Sequence, residues 1–277
     1  MSAFNPEIAV KALMPKEIMG MSSSLHLGIH LHKYFVQVAV QDPETKEILW
    51  SGHFELEDAT GDWSRAADFA MVRNWGERVF RKVTVSFDQA EFTIIPQGFL
   101  QEGKEGELLF FATNKNPDNV QVDVFNDLGI ALIYDLPTEI SALSQRYPNA
   151  KFYPSAGLFI RESARLAKEK NKFFVLVQDG FMLVSAFHEG VMKLTNHFGI
   201  QGNDDVLYHI ANAAMRLNIY LESSEVLLMG YGVSDELIEL LKNYIGSVRV
   251  WTYGIAEGTI EPSEEALYSV LIHSTCA

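Results

Sequence analysis

The first apolar segment of the chain carries three histidines whose imidazole nitrogens are potential metal ligands. His26, His30 and His32 alternate with apolar residues, so in an extended strand they share one face, opposite the leucines. Neighbouring same-face side chains along a strand are roughly 6–7 Å apart, which is wide for a shared metal ion but bridgeable. His32 falls in the following turn, and no cysteine is nearby. We therefore predict a polar face exposed to solvent and no metal site.

Two later turns contain glycines between apolar segments. Asp179–Gly180 separates two such segments by two residues, which is typical of a tight β-hairpin. Gly230 and Gly232 follow the apolar segment that ends at Met229, and Ser234 is placed to cap the next helix. Glycines at such a position indicate a turn that needs glycine dihedral angles.

The sequence lacks the motifs of the common hydrolases and phosphate-binding loops. It contains no Gly-x-Ser-x-Gly, no His-Glu-x-x-His and no Gly-x-x-x-x-Gly-Lys. His188 and His197 form no triad with a serine at a nucleophile elbow. Asp204 and Asp205 are carboxylates of the kind that bind metal ions in nucleases, but they open a predicted helix, where the dipole favours acids. No catalytic residue and no metal ligand is predicted.

Hydrophobic periodicity predicts the same order of elements in both halves, namely three strands, a helix and a strand. The predicted elements of the first half are strands at 25–31, 34–40, 48–56 and 83–87, with a helix from 63 to about 81. Those of the second half are strands at 173–177, 181–187, 191–198 and 225–229, with a helix from 204 to about 217. Hairpin-linked strands followed by a helical crossover define a mixed sheet in an α/β fold.

Further elements lie around and between these repeats. The additional predicted strands are 120–125, 129–134 and 248–251, and the additional helices are 137–147, 155–168, 235–244 and a final one from 262. The aromatic pairs Phe110–Phe111 and Phe173–Phe174 are assigned to the hydrophobic core. No low-complexity linker separates the halves, so we expect them to pack closely.

Composition narrows the class of protein. The chain has 277 residues, 48% of them apolar and 21% charged, which is typical of a globular protein. Its net charge of −14 disfavours nucleic acid as a partner. The sequence has one cysteine, no signal-peptide pattern and no apolar run of membrane-spanning length, so we expect a cytoplasmic protein without direct membrane insertion.

The repeated unit resembles the ribonuclease H-like fold of the actin-like ATPase superfamily. The stretch Tyr153–Ala156, the helix after it and the hairpin around Phe173–Gly180 carry the resemblance, which extends over roughly residues 24–275. Within that superfamily the chain looks most similar to bacterial pilus-assembly and secretion-platform members and to an uncharacterised bacterial family. The resemblance implies duplicated β-β-β-α-β units, with a leader or added edge at 1–22 and subdomains at 23–150 and 151–277.

Working members of the superfamily have three nucleotide-binding signatures, and this chain departs from them. The hairpin that opens each half holds phosphates with Asp-x-Gly and a hydroxyl residue, yet 27–33 of this sequence contains no acid, Ser or Thr. In the second half, Asp179 and Gly180 fit a two-residue turn or the remnant of a phosphate site. Gly230 and Gly232 resemble the glycine-rich adenosine turn, although Tyr231 is bulky there.

These departures favour a non-catalytic actin-like binding or assembly module that needs no cofactor. The alternative is a nucleotide-binding ATPase with divergent loops, in which Asp179, Gly180, Gly230 and Gly232 bind ATP and Mg²⁺. A metal-dependent ribonuclease H-like nuclease is the third hypothesis, and the charge of the chain disfavours it. The sequence does not identify the protein partner, and a homodimer is compatible with base rates for soluble proteins.

Overall fold

A computed structural model describes residues 20–32, 35–45, 48–55, 80–88, 91–146, 148–167, 171–178, 180–230 and 232–250. Several sequence predictions fall outside these ranges. They are most of the leader at 1–22, nearly all of the helix from 63 to about 81, the residue Asp179 and the final helix from 262. Phe80 and Arg81, at the expected end of that first helix, are not helical.

The first sheet has five strands in the order β3-β2-β1-β4-β8. Its strands are β1 (His26–Leu31), β2 (Phe35–Gln41), β3 (Ile48–Glu55), β4 (Lys82–Phe87) and β8 (Ala150–Pro154). The pairs β1–β2 and β2–β3 are antiparallel, whereas β1–β4 and β4–β8 are parallel. The sheet is therefore mixed, as predicted, and the carboxyl ends of β1, β4 and β8 lie at one edge.

The second sheet has the order β11-β10-β9-β12-β13. Its strands are β9 (Lys172–Val177), β10 (Phe181–His188), β11 (Val191–Gly199), β12 (Glu225–Met229) and β13 (Ser247–Val250). The hairpin pairs are antiparallel, and β9–β12 and β12–β13 are parallel. The order of directions is thus the same as in the first sheet.

A three-stranded antiparallel sheet lies between β4 and β8 in the chain. It has the order β5-β7-β6, formed by β5 (Phe92–Pro96), β6 (Val120–Phe125) and β7 (Ile130–Asp135). The described helices are α1 (Glu105–Thr113), α2 (Thr138–Arg146), α3 (Ser155–Leu166), α4 (Asn203–Leu217) and α5 (Asp235–Lys242). None of the helices in the described ranges is long and apolar enough to cross a membrane.

The two five-stranded sheets share a hydrophobic core. The predicted apolar face of β1 (Leu27, Ile29 and Leu31), together with Leu25 just before the strand, joins a cluster that also holds Phe159 and Ile160 of α3. The same cluster contains Phe174 and Leu176 of β9, while the alternate residues of that strand pack with α4 and α5 in a second cluster. Strand β9 is therefore buried on both faces, which explains its continuous apolar sequence.

Two predictions about aromatic and turn residues need correction. Phe173 and Phe174 are fully buried, as expected, but Phe110 is 41% and Phe111 90% exposed on α1. Strand β2 begins at Phe35, one residue later than predicted, and His32 N donates a hydrogen bond to Phe35 O. In α5, the predicted cap is confirmed, since the Ser234 hydroxyl accepts a hydrogen bond from Leu237 N.

Candidate functional site

The candidate site lies where the carboxyl ends of parallel strands from both large sheets meet. Asp88 follows β4 directly, and its main-chain N–H donates to Leu31 O at the end of β1. Ser155 is the first residue of α3, immediately after β8. Gln178 follows β9 in the second sheet. Short connections after adjacent strand ends bring polar side chains together in α/β folds.

The Asp88 carboxylate joins the two sheets by hydrogen bonds. Ser155 Oγ donates to Asp88 Oδ1 over 2.5 Å, and Gln178 Nε2 donates to Asp88 Oδ2 over 3.1 Å. All three side chains are buried. Hydrogen bonds to an ionised acceptor are stronger than neutral ones, so this contact fixes the end of β9 against the first sheet.

Two histidines of the first hairpin complete this cluster. His30 Nε2 lies 3.5 Å and His32 Nε2 3.9 Å from Asp88 Oδ2. His30 Nδ1 is 2.8 Å from Ser86 Oγ on the adjacent strand β4. The His32 ring stacks on Phe35, with centroids 4.3 Å apart. We call His30, His32, Ser86, Asp88, Ser155 and Gln178 the Asp88 cluster.

The charge of Asp88 is set by opposing effects. Burial alone would raise the pKa of this carboxyl group. Electrostatic interaction with His30, the hydrogen bond from His30, electrostatic interaction with His32 and the Ser155 hydroxyl outweigh the effect of burial and lower the pKa of Asp88 below its ordinary value. Asp88 is therefore a buried carboxylate anion at neutral pH.

The prediction that the histidine face of β1 is exposed to solvent is wrong. His26, His30 and His32 are at most 8% exposed, because both faces of β1 are covered. The prediction treated β1 as a half-exposed strand, yet its polar face is as buried as its leucine face. His30 and His32 contact a carboxylate rather than water, which makes burial of their polar atoms tolerable.

Ser86, His30 and Asp88 are the residue types of a nucleophilic triad, but all three are buried. Ser86 and His30 are each 1% exposed and Asp88 is 5% exposed, so a substrate has no path to Ser86 Oγ. Within the described ranges, no group of three or more His, Cys, Asp or Glu side chains is placed to hold a metal ion. The arrangement is that of a buried polar junction.

The glycine turn after β12 lies directly against the end of β9. Gly232 N donates to Val177 O over 3.1 Å, and Gly230 has a φ of +108°. A Cβ atom on Gly230 would collide with the Val177 carbonyl oxygen, and one on Gly232 would lie 2.8 Å from Val177 Cγ1. The close approach of two backbone segments explains both glycines.

Gly180 forms the turn of the second hairpin. Gln178 N donates to Phe181 O over 2.8 Å and Gly180 has a φ of +76°, which is the geometry of a two-residue hairpin. The structure thus brings Gly180, Gly230 and Gly232 to the two sides of one strand end, while Asp179 lies outside the described residues. Nucleotide binding by these residues stays a prediction.

The N–H of Gly232 is bonded to Val177 O, so this group is not free for a ligand. The residues at the ends of the two hairpins, His32 and Gln178, belong to the Asp88 cluster.

Sequence reasoning missed Asp88 and Gln178 as members of the site. The available signal for Asp88 was an acid placed directly after the apolar strand Val83–Phe87. The proximity of Asp88 to Ser155 and His30 follows only once β1, β4 and β8 are known to be neighbours. That pairing is a property of the tertiary structure and cannot be read from the local sequence.

Comparisons with known proteins agree with this architecture. A sequence profile described as "Protein of unknown function (DUF3822)" matches residues 19–248. No curated protein matches the sequence.

Solved structures show the fold. A Bacteroides thetaiotaomicron protein with an actin-like ATPase fold and unknown function is 19% identical, with a TM-score of 0.72 over 86% of this chain and 95% of that chain. The PilM–PilN type IV pilus biogenesis complex is 12% identical, with a TM-score of 0.52 over 90% and 98% of the two chains. The cytoplasmic domain of EpsL, from the type II secretion system of Vibrio cholerae, is 12% identical, with a TM-score of 0.47 over 91% and 94%. The Bacteroides thetaiotaomicron structure confirms the predicted ribonuclease H-like, actin-like ATPase fold.

Proposed function

The chain belongs to the DUF3822 family and has an actin-like ATPase fold, and we propose that it is a non-catalytic module that binds a protein partner. Fold alone does not determine function, so the proposal rests on the site. In this chain the two hairpins that would hold phosphates in a working ATPase contribute residues that join the two five-stranded sheets.

The observation that carries the proposal is the Asp88 cluster. His32 follows β1 in the first hairpin, and Gln178 follows β9 in the second hairpin. Both side chains contact the buried carboxylate of Asp88. The resemblance places nucleotide phosphates at these two hairpins. In this chain the polar side chains at both hairpin ends are buried and contact Asp88, so they are not free to bind phosphate.

The glycine turn after β12 gives independent support. The N–H of Gly232 donates to Val177 O at the end of β9, and Val177 also occupies the space where a Cβ on Gly230 or Gly232 would lie. Glycine at 230 and 232 is thus explained by packing between two backbone segments, without a nucleotide base.

The alternative is a nucleotide-binding protein with divergent loops that uses ATP and Mg²⁺. One observation favours it, namely that the turn after β12 carries Gly230 and Gly232, like the glycine-rich adenosine turn, and that Gly230 has a positive φ. Its residues would be Asp179, Gly180, Gly230 and Gly232.

A thermal-shift titration with ATP and ADP, with and without Mg²⁺, tests the proposal. Millimolar nucleotide with a micromolar dissociation constant would add about 4 kcal/mol of stability and raise the melting temperature by several degrees. We expect no shift and no ATP hydrolysis above background. A shift that Gly232→Val removes, and that Gly98→Val leaves unchanged, would overturn the proposal in favour of the nucleotide-binding alternative. Gly98 is a matched control because its added side chain meets nothing within 4 Å.

A further inference from the structure

An open depression of about 570 Å³ lies beside the second hairpin. It is lined by Gly180, Gly199, Ile200, Gln201, Asp205, Tyr208 and His209. Binding sites for small groups are concave and combine aromatic or apolar walls with a few polar atoms. This depression has that composition.

Main-chain atoms of two segments, at Gly180 and at Gly199–Ile200, contribute to the lining of the depression. Ile200 N donates to Gly180 O over 3.0 Å, which holds the loop after β11 against the hairpin. A Cβ on Gly180 would meet nothing within 4 Å, and one on Gly199 would lie 3.9 Å from Gly180 O. The two glycines therefore leave the space open where side chains would otherwise fill it.

Aromatic rings on the first turns of α4 form one wall. His209 stacks on Phe198 of β11, with centroids 4.3 Å apart and an angle of 14° between the rings. Tyr208 meets His209 edge to face at 5.1 Å and is 61% exposed. His209 thus contacts the rings of both Phe198 and Tyr208. The Tyr208 ring packs on this fixed neighbour and presents an aromatic surface to solvent.

Among the described residues that line the depression, Asp205 is the one carboxylate. Asp205 Oδ2 accepts a hydrogen bond from Gln201 N over 2.7 Å, while Asp205 Oδ1 accepts none from the described residues. No lysine or arginine lines the depression. A carboxylate with a free oxygen beside an exposed tyrosine ring is the environment that binds a guanidinium or ammonium group, by a charge-assisted hydrogen bond and a cation–π contact.

We propose that this depression binds an arginine or lysine side chain of a basic peptide segment on the partner protein. The inference rests on the proposed function, since it names the chemistry of the partner. The net charge of −14 attracts basic segments over long range, and the depression has room for a side chain with its flanking main chain. An anionic ligand such as phosphate would be repelled by Asp205.

The test is a two-dimensional amide NMR titration with the peptide Gly-Gly-Arg-Gly-Gly, acetylated at its N-terminus and amidated at its C-terminus so that the arginine carries its only charge. A second peptide carries citrulline, the neutral counterpart of arginine, and a third carries glutamate. We expect saturable shifts of the signals of Gly180, Gly199 and His209 with arginine, and none with citrulline or glutamate. Equal shifts with citrulline, or no saturable shift with arginine, would overturn the inference.

Matched variants locate the contact. Asp205→Asn and Tyr208→Ala should each weaken binding by roughly fivefold, since one exposed ionic or cation–π contact is worth about 1 kcal/mol. Glu239→Gln and Tyr244→Ala make the same chemical changes at exposed positions on and after α5, and should leave binding unchanged. An equal loss in both pairs would mean nonspecific attraction and contradict the inference. Failure here leaves the non-catalytic proposal standing, because the nucleotide titration tests that separately.

Discussion

Asp88 is a buried anion whose partners come from three other chain segments. Asp88→Asn keeps the shape of the side chain but removes the charge opposite His30 and His32 and places an N–H₂ group beside donors. We expect the free energy of unfolding at pH 7 to fall by about 3 kcal/mol, measured by urea denaturation. Asp127→Asn, at an exposed turn position, should change it by less than about 0.5 kcal/mol.

The pH dependence of this contribution has a definite sign. Because the pKa of Asp88 is lowered in the folded state, its stabilising effect is present above the ordinary carboxyl pKa of about 3.9 and is lost as the pH falls through the lower folded value. The difference between wild type and Asp88→Asn should therefore shrink in strongly acidic solution. Equal stability of the two proteins at pH 7 would contradict the assigned role.

His197 links β11 to the small sheet and should make stability depend on pH near neutrality. Its ring packs on Phe92 at 4.3 Å, and burial lowers its pKa. The unfolded chain then binds a proton at higher pH than the folded chain, so the free energy of unfolding falls as pH drops below about 6.5, the ordinary imidazole value. His197→Phe should remove part of the loss between pH 7.5 and 5.5 in urea titrations. An unchanged pH slope in the variant would exclude this assignment.

At the scale of elements, the contact between the β12–α5 turn and β9 depends on Gly230. Gly230→Ala puts a methyl group into the Val177 carbonyl and also strains a positive φ. Gly129→Ala strains a positive φ of +66° but meets nothing within 4 Å, so it isolates the dihedral cost. We expect Gly230→Ala to lose at least about 2 kcal/mol more than Gly129→Ala in urea unfolding. Similar losses would mean that this turn moves away from β9 freely.

Alternating and buried strands are the elements that the sequence predicts well. Strands β1, β9, β10 and β12 begin and end within one residue of their predicted limits, because their apolar periods or runs have strand length. Helix α4 was predicted from its apolar stripe and its acidic first turn, and it begins one residue earlier, at Asn203.

The missed elements lack such a signal. In α1 the apolar residues are consecutive, so they circle the helix, and only Leu109 is buried. Strands β5 and β8 have five residues each and end in proline, which gives too short a run for a clear period. Their partners, β7 and β4, are distant in the chain, so pairing rather than local sequence determines them.

At the scale of the whole molecule, two kinds of contact hold the large sheets together. The larger hydrophobic cluster contains residues of β1, α3, β9 and β12, and the Asp88 cluster joins the ends of β4 and β9. Here separation would expose apolar side chains and leave a buried carboxylate without its donors, and both changes are costly.

The two sheets should therefore unfold together. Hydrogen exchange of peptides that cover β1 and β9, measured across a urea series, should give the same midpoint for both strands. Gln178→Leu removes one donor to Asp88 and should lower both midpoints by the same amount, since the shared core keeps the sheets coupled. Gln121→Leu is the control, because among the described residues the side chain of Gln121, in the small sheet, hydrogen-bonds to Asn119 just before β6. Loss of protection in β9 at lower urea than in β1 would mean independent halves, and would restore a hinge on which a nucleotide could act.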